Sequence, residues 1–571
     1  MSSNQELYEL WKAKAVDDPD LQAELDSIAG DDEAILDRFY KCLEFGTAGL
    51  RGVIGAGTNR MNIYTVNQAT QGLADFLNSE YENPSIAIAY DSRIKSDVFS
   101  ESAAGVLSAN GIKVYIYREL VPTPMLSYAV RELGCQSGII LTASHNPAKY
   151  NGYKCYDPQG YQMTDDAADK TYAFIQKTDM FTGVKTKSFA DGLADGSIEY
   201  ISEELIEKFY ARVKSVCLSE EACKSSGLKV IFTPLNGTGN KPVRKILDMI
   251  GIKDVQVVKE QELPDGNFPT CPYPNPEIRQ VFELALEMTK TYDADLLLAT
   301  DPDCDRVGIA VKVDDDYKLM SGNEVGVLLT EYLLSRKQEL GILAKDPIVV
   351  KSFVTSELVT AVAAKYGATT KSLLTGFKYI GELVTSLEEK GEADRFVAGM
   401  EESYGYLSGI HARDKDAVVG SMLICEMAAY YKSKGKSLYE VMQGIYAEHG
   451  MYLNRVLSFT FEGAVGMAKM AEIMDTLREN PPKSITDLEV LFVADYKTST
   501  KTNTQTKETE VIDLPVSNVL SYTLPNSSGV IVRPSGTEPK VKVYITACAA
   551  DTEKAEALAD AIEAQMSKYM D

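Results

Sequence analysis

The sequence contains no apolar run that approaches the length needed to cross a bilayer, and its first residues lack a charged segment followed by an apolar core. It has no C-x-x-C pair, and its nine cysteines are scattered between Cys42 and Cys548. Positive charge is scarce: 58 Lys and Arg face 83 Asp and Glu, for a formal net charge of −25. These absences disfavour a membrane span, a zinc or redox cysteine motif and nucleic acid as a partner, and they predict a cytoplasmic protein.

The 571 residues exceed what one hydrophobic core normally supports. Residues 1 to about 44 are predicted to form a helical arm. Apolar strands and amphipathic helices then alternate, and short alternating strands follow from about residue 455, with a last helix from about 552 to 569. The polar stretch 497–510 is predicted to be an exposed hairpin or mobile loop. We therefore predict an α/β protein with three related α/β domains and a smaller C-terminal α+β domain, bounded at 1–204, 205–322, 323–452 and 453–571.

A serine follows the apolar strand predicted at 138–141, in the loop 142–147, which reads TASHNP. Parallel α/β sheets present ligands at the carboxyl ends of their strands. A turn or a helix N-cap is the commoner role of such a serine. Here His145 and Lys154 lie close by in the sequence, and a serine hydroxyl needs polar and cationic help of this kind to exchange a phosphoryl group. Ser144 is thus a candidate nucleophile.

Three carboxylates occupy alternate positions in the loop 301–306, which reads DPDCDR and follows the apolar run 295–300. Hard cations such as Mg²⁺ take oxygen ligands of this kind. A calcium-binding EF-hand also uses alternate positions, but it requires Gly and Glu where Arg306 and Lys312 stand. Asp301, Asp303 and Asp305 are therefore predicted to bind a divalent metal rather than to form a solvated turn.

Two further loops offer groups suited to a phosphorylated sugar. Glu401 and Ser403 can bind vicinal sugar hydroxyls, although acidic surface turns are common. The segment 533–540, which reads RPSGTEPK, offers an arginine, two hydroxyls and loop amides to a phosphate, and a Pro- and Gly-rich turn is its alternative. Additional candidates come from the third predicted domain: Thr375, Gly376, Lys378, Arg413 and Lys415.

These four loops, taken in order, resemble those of the α-D-phosphohexomutase family, which includes phosphoglucomutases and phosphomannomutases. The resemblance covers nearly the whole chain. The glycine-rich segment 45–52, the segment 375–378 and the chain length are most similar to the long branch with phosphoglucomutase 2 and phosphopentomutase-type members. The resemblance implies four domains with mixed sheets around a central cleft, and an enzyme that isomerises phosphosugars.

The resemblance also implies roles for the residues. Ser144 would carry the phosphoryl group and be the fourth ligand of one Mg²⁺ held by Asp301, Asp303 and Asp305, and glucose 1,6-bisphosphate would be the intermediate and priming activator. The remaining catalytic residues would be Arg51, His145, Lys154, Arg306 and Lys378. The substrate-binding residues would be Thr375, Gly376, Glu401, Ser403, Arg413, Lys415, Arg533, Ser535, Gly536 and Thr537.

Two departures from the family pattern concern the sugar loop: Met400 stands where many members have glycine, and Tyr404-Gly405 where some have histidine. They leave the general base open between Lys378, which we favour, and His145. Glucose 1-phosphate and glucose 6-phosphate are the expected substrates, with mannose or pentose phosphates as alternatives. A metal-dependent sugar phosphatase and a non-enzymatic sugar-phosphate sensor are the competing classes. The protein is expected to be a monomer or a weak homodimer.

Overall fold

The computed structural model describes residues 4–46, 49–461, 463–535 and 540–570. The chain divides into two compact units, which are described separately. The first comprises Met1–Gly322 and Phe377–Ser437, and the second Asn323–Gly376 and Leu438–Asp571. Gly536 and Thr537, two of the predicted substrate-binding residues, lie outside the described residues.

The first unit begins with the predicted helical arm. Its helices pack around Trp11, which is almost fully buried, and the rings of Phe39 and Tyr64 meet Trp11 edge-on. N-terminal side chains cap two of the helices: Asp18 accepts the N–H of Asp20, and Asp31 that of Ala34. The three helices of the arm are α1 Asn4–Lys14, α2 Pro19–Ser27 and α3 Asp32–Phe39.

A six-stranded mixed sheet with the order β1-β5-β4-β2-β3-β6 follows the arm. The central strand β4 is buried along its whole length, as its uninterrupted apolar sequence predicts. Strands β4, β2, β3 and β6 run parallel; at one side β5 pairs antiparallel with β4, and β1 pairs antiparallel with β5. The elements are β1 Gly49–Val53, α4 Ile63–Glu80, β2 Ser85–Tyr90, α5 Ser96–Ala109, β3 Lys113–Ile116, α6 Thr123–Glu132, β4 Ser137–Leu141, β5 Tyr150–Tyr156, α7 Asp165–Ile175, α8 Phe189–Ala194 and β6 Ile198–Tyr200.

The next sheet has five strands in the order β11-β10-β9-β7-β8 and is also mixed. Strand β9 is buried along its length and forms an antiparallel hairpin with β10, so that the loop 301–306 is the turn of this hairpin. The elements are α9 Glu203–Lys214, α10 Glu220–Ser225, β7 Lys229–Thr233, α11 Asn240–Ile250, β8 Asp254–Val257, α12 Lys259–Glu262, a 3₁₀ turn at Arg279–Phe282, α13 Glu283–Met288, β9 Leu296–Thr300, β10 Val307–Val313 and β11 Asp316–Met320.

Residues 322–449 contribute to both units. In the second unit, β12 and β13 pair in parallel; in the first, β14 and β15 form an antiparallel hairpin. The helix α17 in the first unit begins at an Asp416 cap and is buried over most of its length. The elements are α14 Gly322–Glu339, β12 Ile348–Ser352, α15 Leu358–Lys365, β13 Thr369–Leu373, α16 Phe377–Glu389, a 3₁₀ turn at Ala393–Arg395, β14 Phe396–Glu401, β15 Gly405–Leu407, α17 Ala417–Ser433 and α18 Leu438–His449.

The C-terminal part of the second unit is an antiparallel sheet of seven strands in the order β16-β24-β23-β22-β19-β20-β21, covered by helices. The stretch 497–510 forms the predicted hairpin, with β20 and β21 as its arms. Among the described residues, no helix combines the length and apolarity that crossing a membrane requires. The elements are β16 Met451–Thr460, α19 Gly463–Glu479, β17 Ser484–Ile485, β18 Leu488–Glu489, β19 Phe492–Asp495, β20 Thr500–Asn503, β21 Thr509–Val511, β22 Leu520–Thr523, a 3₁₀ turn at Pro525–Ser527, β23 Gly529–Pro534, β24 Lys540–Ala549 and α20 Thr552–Met570.

Candidate active site

The turn between β9 and β10 directs three carboxylates to one place. Asp301, Asp303 and Asp305 are buried, and each offers an oxygen within 4.8 Å of those of the other two. The turn is fixed from within, because Asp301 Oδ1 accepts the backbone N–H groups of Asp305 at 3.1 Å and of Arg306 at 3.0 Å. Alternate spacing in the sequence therefore becomes a cluster of carboxylate oxygens that could hold a metal ion.

Cations partly neutralise this cluster. Lys154 Nζ lies 2.9 Å from Asp303 Oδ2, and Lys415 Nζ lies 3.1 Å from Asp305 Oδ2. Burial and the two neighbouring carboxylates raise the pKa of Asp301 well above its usual value. Burial acts the same way on Asp303, but Lys154 outweighs it and holds the pKa of Asp303 below the usual range. Burial thus disfavours the charged form of Asp301, whereas Lys154 stabilises the charged form of Asp303.

Two buried oxygens support a metal at this point. Asp303 Oδ1 and Asp305 Oδ1 are shielded from solvent and accept no hydrogen bond from the described residues. A buried carboxylate oxygen without a donor is costly, and a hard cation would satisfy both oxygens at once. The donor set of this cluster therefore fits Mg²⁺.

Ser144 lies against the carboxylate cluster. Its hydroxyl donates to Asp301 Oδ2 at 2.8 Å and is 3.2 Å from Nδ1 of His145. Strand β4 ends just before the loop that carries Ser144, and β9 ends just before the loop that carries Asp301. Two loops separated by more than 150 residues are thus brought together at Ser144 and Asp301.

Further cations surround the serine. Arg51 is on β1, opposite Gly152 of β5, and β5 also carries Lys154. Burial, together with the charges of Arg306 and Arg51, holds the pKa of His145 well below its usual value, so its imidazole is neutral. The positive charge near Ser144 therefore comes from Arg51, Arg306 and Lys154 and not from His145.

The β14–β15 hairpin brings the sugar loop to the same place. Arg306 Nη1 donates to the carbonyl of Ser403 at 3.0 Å and to Glu277 Oε1 at 3.0 Å. The N–H of Val307 donates to the carbonyl of Tyr404 at 3.1 Å. Glu401 ends β14 and is one of the carboxylates, after Asp305 and Asp414, that raise the pKa of Lys415 against the effect of burial. Ser144, the aspartates and Glu401 therefore belong to one polar region.

Arg413 is placed differently from the prediction. Its side chain is fully buried, and Nε donates to the hydroxyl of Thr385 at 2.9 Å. Its other nitrogens bind Glu388 and the carbonyls of Ile410 and Ala412. The prediction that Arg413 contacts substrate is therefore wrong in this structure: the guanidinium is enclosed by protein and supports the loop before α17.

Of the other predicted residues, Lys378 pairs with a side chain of the first unit, and the rest lie in the second unit. Lys378 Nζ lies 2.7 Å from Asp165 Oδ1. In the second unit, Thr375 and Gly376 end the segment 323–376, and Arg533 lies in β23, just before Ser535. Ser535 donates its N–H to the carbonyl of Lys540 at 2.7 Å. These side chains are partly buried.

Sequence analysis missed two groups at the base of the site. Thr123 donates its hydroxyl to Asp303 Oδ2 at 3.1 Å, and its N–H to the carbonyl of the same residue at 2.9 Å. Asp91 accepts the hydroxyl of Thr142 at 2.6 Å, and Arg93 contacts the backbone of the serine loop. Each follows a buried strand or leads into a helix, which is the signal that would have found them.

Comparison with known proteins gives four matches along the chain. The models described as phosphoglucomutase/phosphomannomutase alpha/beta/alpha domains I, II and III match residues 43–181, 204–314 and 321–449. The model of the C-terminal domain of the same family matches residues 477–565. The matches are in family order and cover most of the chain.

Curated relatives agree with these matches. The chain is 36% identical over 509 residues to a phosphoglucomutase of Staphylococcus saprophyticus, which covers 89% of this chain and 91% of that protein. It is 35% identical over 515 residues to a phosphoglucomutase of Staphylococcus aureus, with 89% and 90% covered.

Solved structures share the fold. A phosphoglucomutase/phosphomannomutase family protein from Burkholderia thailandensis has a TM-score of 0.67 at 18% identity, covering 92% of this chain and 96% of that one. Parafusin, a phosphoglucomutase from Paramecium in its open form, has a TM-score of 0.69 at 18% identity, with 93% and 95% covered. The predicted fold class of four domains with mixed sheets is confirmed. From the four domain matches and the curated relatives we conclude that the chain belongs to the phosphoglucomutase/phosphomannomutase family.

Proposed function

We propose that this protein is a phosphosugar mutase that interconverts glucose 1-phosphate and glucose 6-phosphate through a phosphoserine at Ser144. The observation that carries the proposal is the 2.8 Å hydrogen bond from the Ser144 hydroxyl to Asp301 Oδ2 at the buried carboxylate cluster. Relatives named phosphoglucomutase, at about one third identity over most of the chain, support the same substrates. The domain limits predicted at residues 204, 322 and 452 remain part of this proposal.

Asp301, Asp303 and Asp305 would hold one Mg²⁺, with Ser144 as the fourth ligand. When bound, the ion would neutralise charge on the oxygens of the transferring phosphoryl group. The two buried carboxylate oxygens without a hydrogen-bond donor support this assignment. Glucose 1,6-bisphosphate would prime the enzyme by phosphorylating Ser144.

The reaction would consist of two opposite transfers. In the first, a sugar hydroxyl attacks the phosphorus of phosphoserine; the bond from phosphorus to Ser144 Oγ breaks, and a bisphosphorylated sugar forms. After the sugar turns around, Ser144 Oγ attacks its other phosphoryl group and regains a phosphate. Lys154, Arg306 and Arg51 would supply positive charge around the moving group, since catalysis of phosphoryl transfer consists mainly of positioning and charge neutralisation.

Each transfer also moves a proton. The attacking sugar hydroxyl loses its proton to a base, and Lys378 remains our choice, with His145 as the alternative. Glu401 and Ser403 would bind the sugar hydroxyls together with Lys415, Thr375 and Gly376. Arg533 and Ser535, with Gly536 and Thr537, would bind the phosphate that is not reacting.

The test is a coupled assay with Mg²⁺ and glucose 1,6-bisphosphate that offers glucose 1-phosphate, mannose 1-phosphate and ribose 1-phosphate in parallel. We expect glucose 1-phosphate to be converted fastest and Ser144→Ala to lose essentially all conversion. A matched control is Ser102→Ala, a serine on α5 bonded to Asn67, which should keep full activity.

The outcomes separate the competing functions. Faster conversion of a mannose or pentose phosphate would keep the mechanism and change the substrate. Release of inorganic phosphate without isomerisation would favour a phosphatase. Activity that survives Ser144→Ala would contradict the phosphoserine. We further propose that the protein is cytoplasmic and that it is a monomer or a weak homodimer. Sedimentation of the purified chain would test the oligomeric state.

A further inference from the structure

One buried guanidinium contacts the backbone of the serine loop at four points. Nη2 of Arg93 donates to the carbonyls of Ser144 and Asn146. Nη1 donates to the carbonyls of Pro147 and Tyr150, each at 3.0 Å. The residue as a whole is 2% exposed, so these bonds form away from solvent. A loop of seven residues is thereby gathered around a single planar group.

The guanidinium is itself held in place. Its Nε lies 3.5 Å from Asp91 Oδ2, and its plane lies over the ring of Phe268, with 5.1 Å between Cζ and the ring centroid. Asp91 Oδ1 accepts the backbone N–H of Arg93 at 2.9 Å and the hydroxyl of Ser96 at 2.9 Å. Ion pair, ring and backbone together fix the direction in which the four N–H bonds point.

A second path leads from Asp91 to the serine. Thr142 donates its hydroxyl to Asp91 Oδ2 at 2.6 Å, and its oxygen accepts the N–H of Ser144 at 2.8 Å. Arg93 binds the carbonyl of the same serine. The Asp91–Arg93 pair therefore controls both backbone groups of Ser144.

This control is needed because Ser144 has an unfavourable backbone conformation. Its φ of +52° lies in the left-handed region, where a side chain other than that of glycine is strained unless the surroundings hold it. In this conformation its hydroxyl reaches Asp301. A relaxed loop would move the hydroxyl away from the carboxylate cluster.

We propose that Arg93 is a positioning residue for phosphoryl transfer: by binding four carbonyls of the serine loop, it holds Ser144 in the left-handed conformation that directs its hydroxyl to the carboxylate cluster. The proposal rests on the phosphoserine mechanism proposed above. Arg93 acts through the backbone of Ser144 and takes no proton. Lysine cannot replace it, because one ammonium cannot serve four carbonyls in the geometry of a planar fork.

The test compares Arg93→Lys with the wild type in steady-state and single-transfer experiments. Because a small misplacement of a reacting group slows chemistry more than binding, we expect kcat to fall by about 10- to 100-fold, with KM for glucose 1-phosphate changing by less than about threefold. The rate at which glucose 1,6-bisphosphate phosphorylates Ser144, followed by intact mass, should fall in parallel with kcat. A kcat and a phosphorylation rate within about twofold of the wild type would overturn the proposal.

Further variants separate positioning from general stability. Arg478→Lys weakens the contacts of a partly buried arginine of α19 with Asp495 of β19 and with Asn518, and it should lower Tm without lowering kcat. Thr142→Val removes the hydroxyl between Asp91 and Ser144 with little change in shape. If Arg93→Lys does not fold, Asp91→Asn decides, because it weakens the ion pair that holds the Arg93 guanidinium: a lowered kcat with an unchanged KM, and a smaller loss in Thr142→Val, supports the proposal, and an unchanged kcat in Asp91→Asn contradicts it.

Failure of the proposed function has a different signature. A wild type that isomerises no sugar would contradict the mutase, but phosphorylation of Ser144 by glucose 1,6-bisphosphate needs only one transfer. Its rate in the wild type and in Arg93→Lys would still decide the role of Arg93. If the wild type takes up no phosphate at all, both proposals are overturned.

Discussion

At the scale of residues, the carboxylate cluster shows how position changes chemistry. Asp303 is fully buried and its Oδ2 is bound by Lys154 and Thr123, whereas its Oδ1 has no donor among the described residues. An aspartate with one oxygen occupied by protein and the other left open is oriented before any ligand arrives. Orientation of this kind lets a metal bind without rearrangement of its ligands.

Asp303→Asn should weaken Mg²⁺ binding, because an amide offers the ion a neutral oxygen in place of a charged one. We expect kcat at limiting Mg²⁺ to fall by about 100-fold or more, in line with the loss of a charge that orients the transferring group. The readout besides activity is Tm: MgCl₂ should raise the Tm of the wild type and leave that of the variant nearly unchanged.

The control for this prediction is Asp293→Asn, which removes an exposed carboxylate that pairs only at the surface with Lys312. Its Tm should respond to MgCl₂ as the wild type does. An equal Mg²⁺-induced shift in Asp303→Asn would contradict the assignment of Asp303 as a ligand.

A second residue-scale prediction concerns Asp157, in the turn after β5. Burial raises its pKa to about 7, although the N–H of Gln159 at 2.9 Å acts in the opposite direction. In the unfolded chain an aspartate titrates near pH 4, so between these values the folded protein binds the extra proton. Stability contributed by this group is therefore lost as pH rises from about 4 to 7, and it is constant above that.

Asp157→Asn should remove this dependence, because the amide keeps the shape and has no proton to lose. The free energy of unfolding of the variant minus that of the wild type should increase by about 1–2 kcal/mol from pH 5 to pH 8. This is less than the whole pKa shift of Asp157 would give, because its side chain is partly exposed. Urea unfolding at several pH values measures it. Asp179→Asn is the control, since its hydrogen bonds from Thr182 lower the pKa of Asp179; parallel curves for the two variants would refute the prediction.

At the scale of elements, the N-terminal arm is joined to the strand that carries Arg51. Glu24 of α2 binds the Nε of Arg38 at 3.0 Å and accepts the N–H of Ala56 at 2.8 Å, in the turn that follows β1. Gly55 in this turn has a φ of +151°, and a Cβ there would meet the Glu24 carboxylate at 2.8 Å. The turn after β1 therefore packs closely around the Glu24 carboxylate, and this carboxylate connects α2 to β1.

Glu24→Ala should destabilise the first unit by about 1–3 kcal/mol, because it leaves the N–H of Ala56 and the Nε of Arg38 without the acceptor that Glu24 provides. Chemical denaturation followed by tryptophan fluorescence is a suitable measurement, since Trp11, the one tryptophan of the chain, lies in the core of the arm. Glu33→Ala, at an exposed position of α3, should change stability by less than about 0.5 kcal/mol. Equal losses in both variants would show that Glu24 has no special role.

The elements were largely predictable, and the contacts between them were not. Uninterrupted apolar runs identified β4 and β9, and helix α20 was predicted to within a residue, because burial and period are properties of local sequence. The pairing of β2 with β4, which sets Asp91 beside Thr142, is not local, so the support of Ser144 was missed. Arg413 was misassigned because sequence does not distinguish a cation that faces a ligand from one that is enclosed by protein.

At the scale of the whole molecule, the four family domains and the two compact units divide the chain differently. The domain matched at 321–449 contributes residues 321–322 and 377–437 to the first unit and residues 323–376 and 438–449 to the second. The family domains are continuous stretches of sequence, whereas the two compact units are defined by which residues lie close together in space. The chain passes from one unit to the other three times, after Gly322, Gly376 and Ser437.

This interleaving has a consequence for synthesis on the ribosome. The segment Asn323–Gly376 is translated before the rest of its unit, Leu438–Asp571, which is made last. At the usual 5–20 residues per second, the segment waits roughly 10–40 s for its partner. During that time Val349, Val350 and Val362, all buried in the finished protein, have no complete core to enter. The nascent chain is therefore expected to depend on a chaperone that binds apolar segments while the last residues are being made.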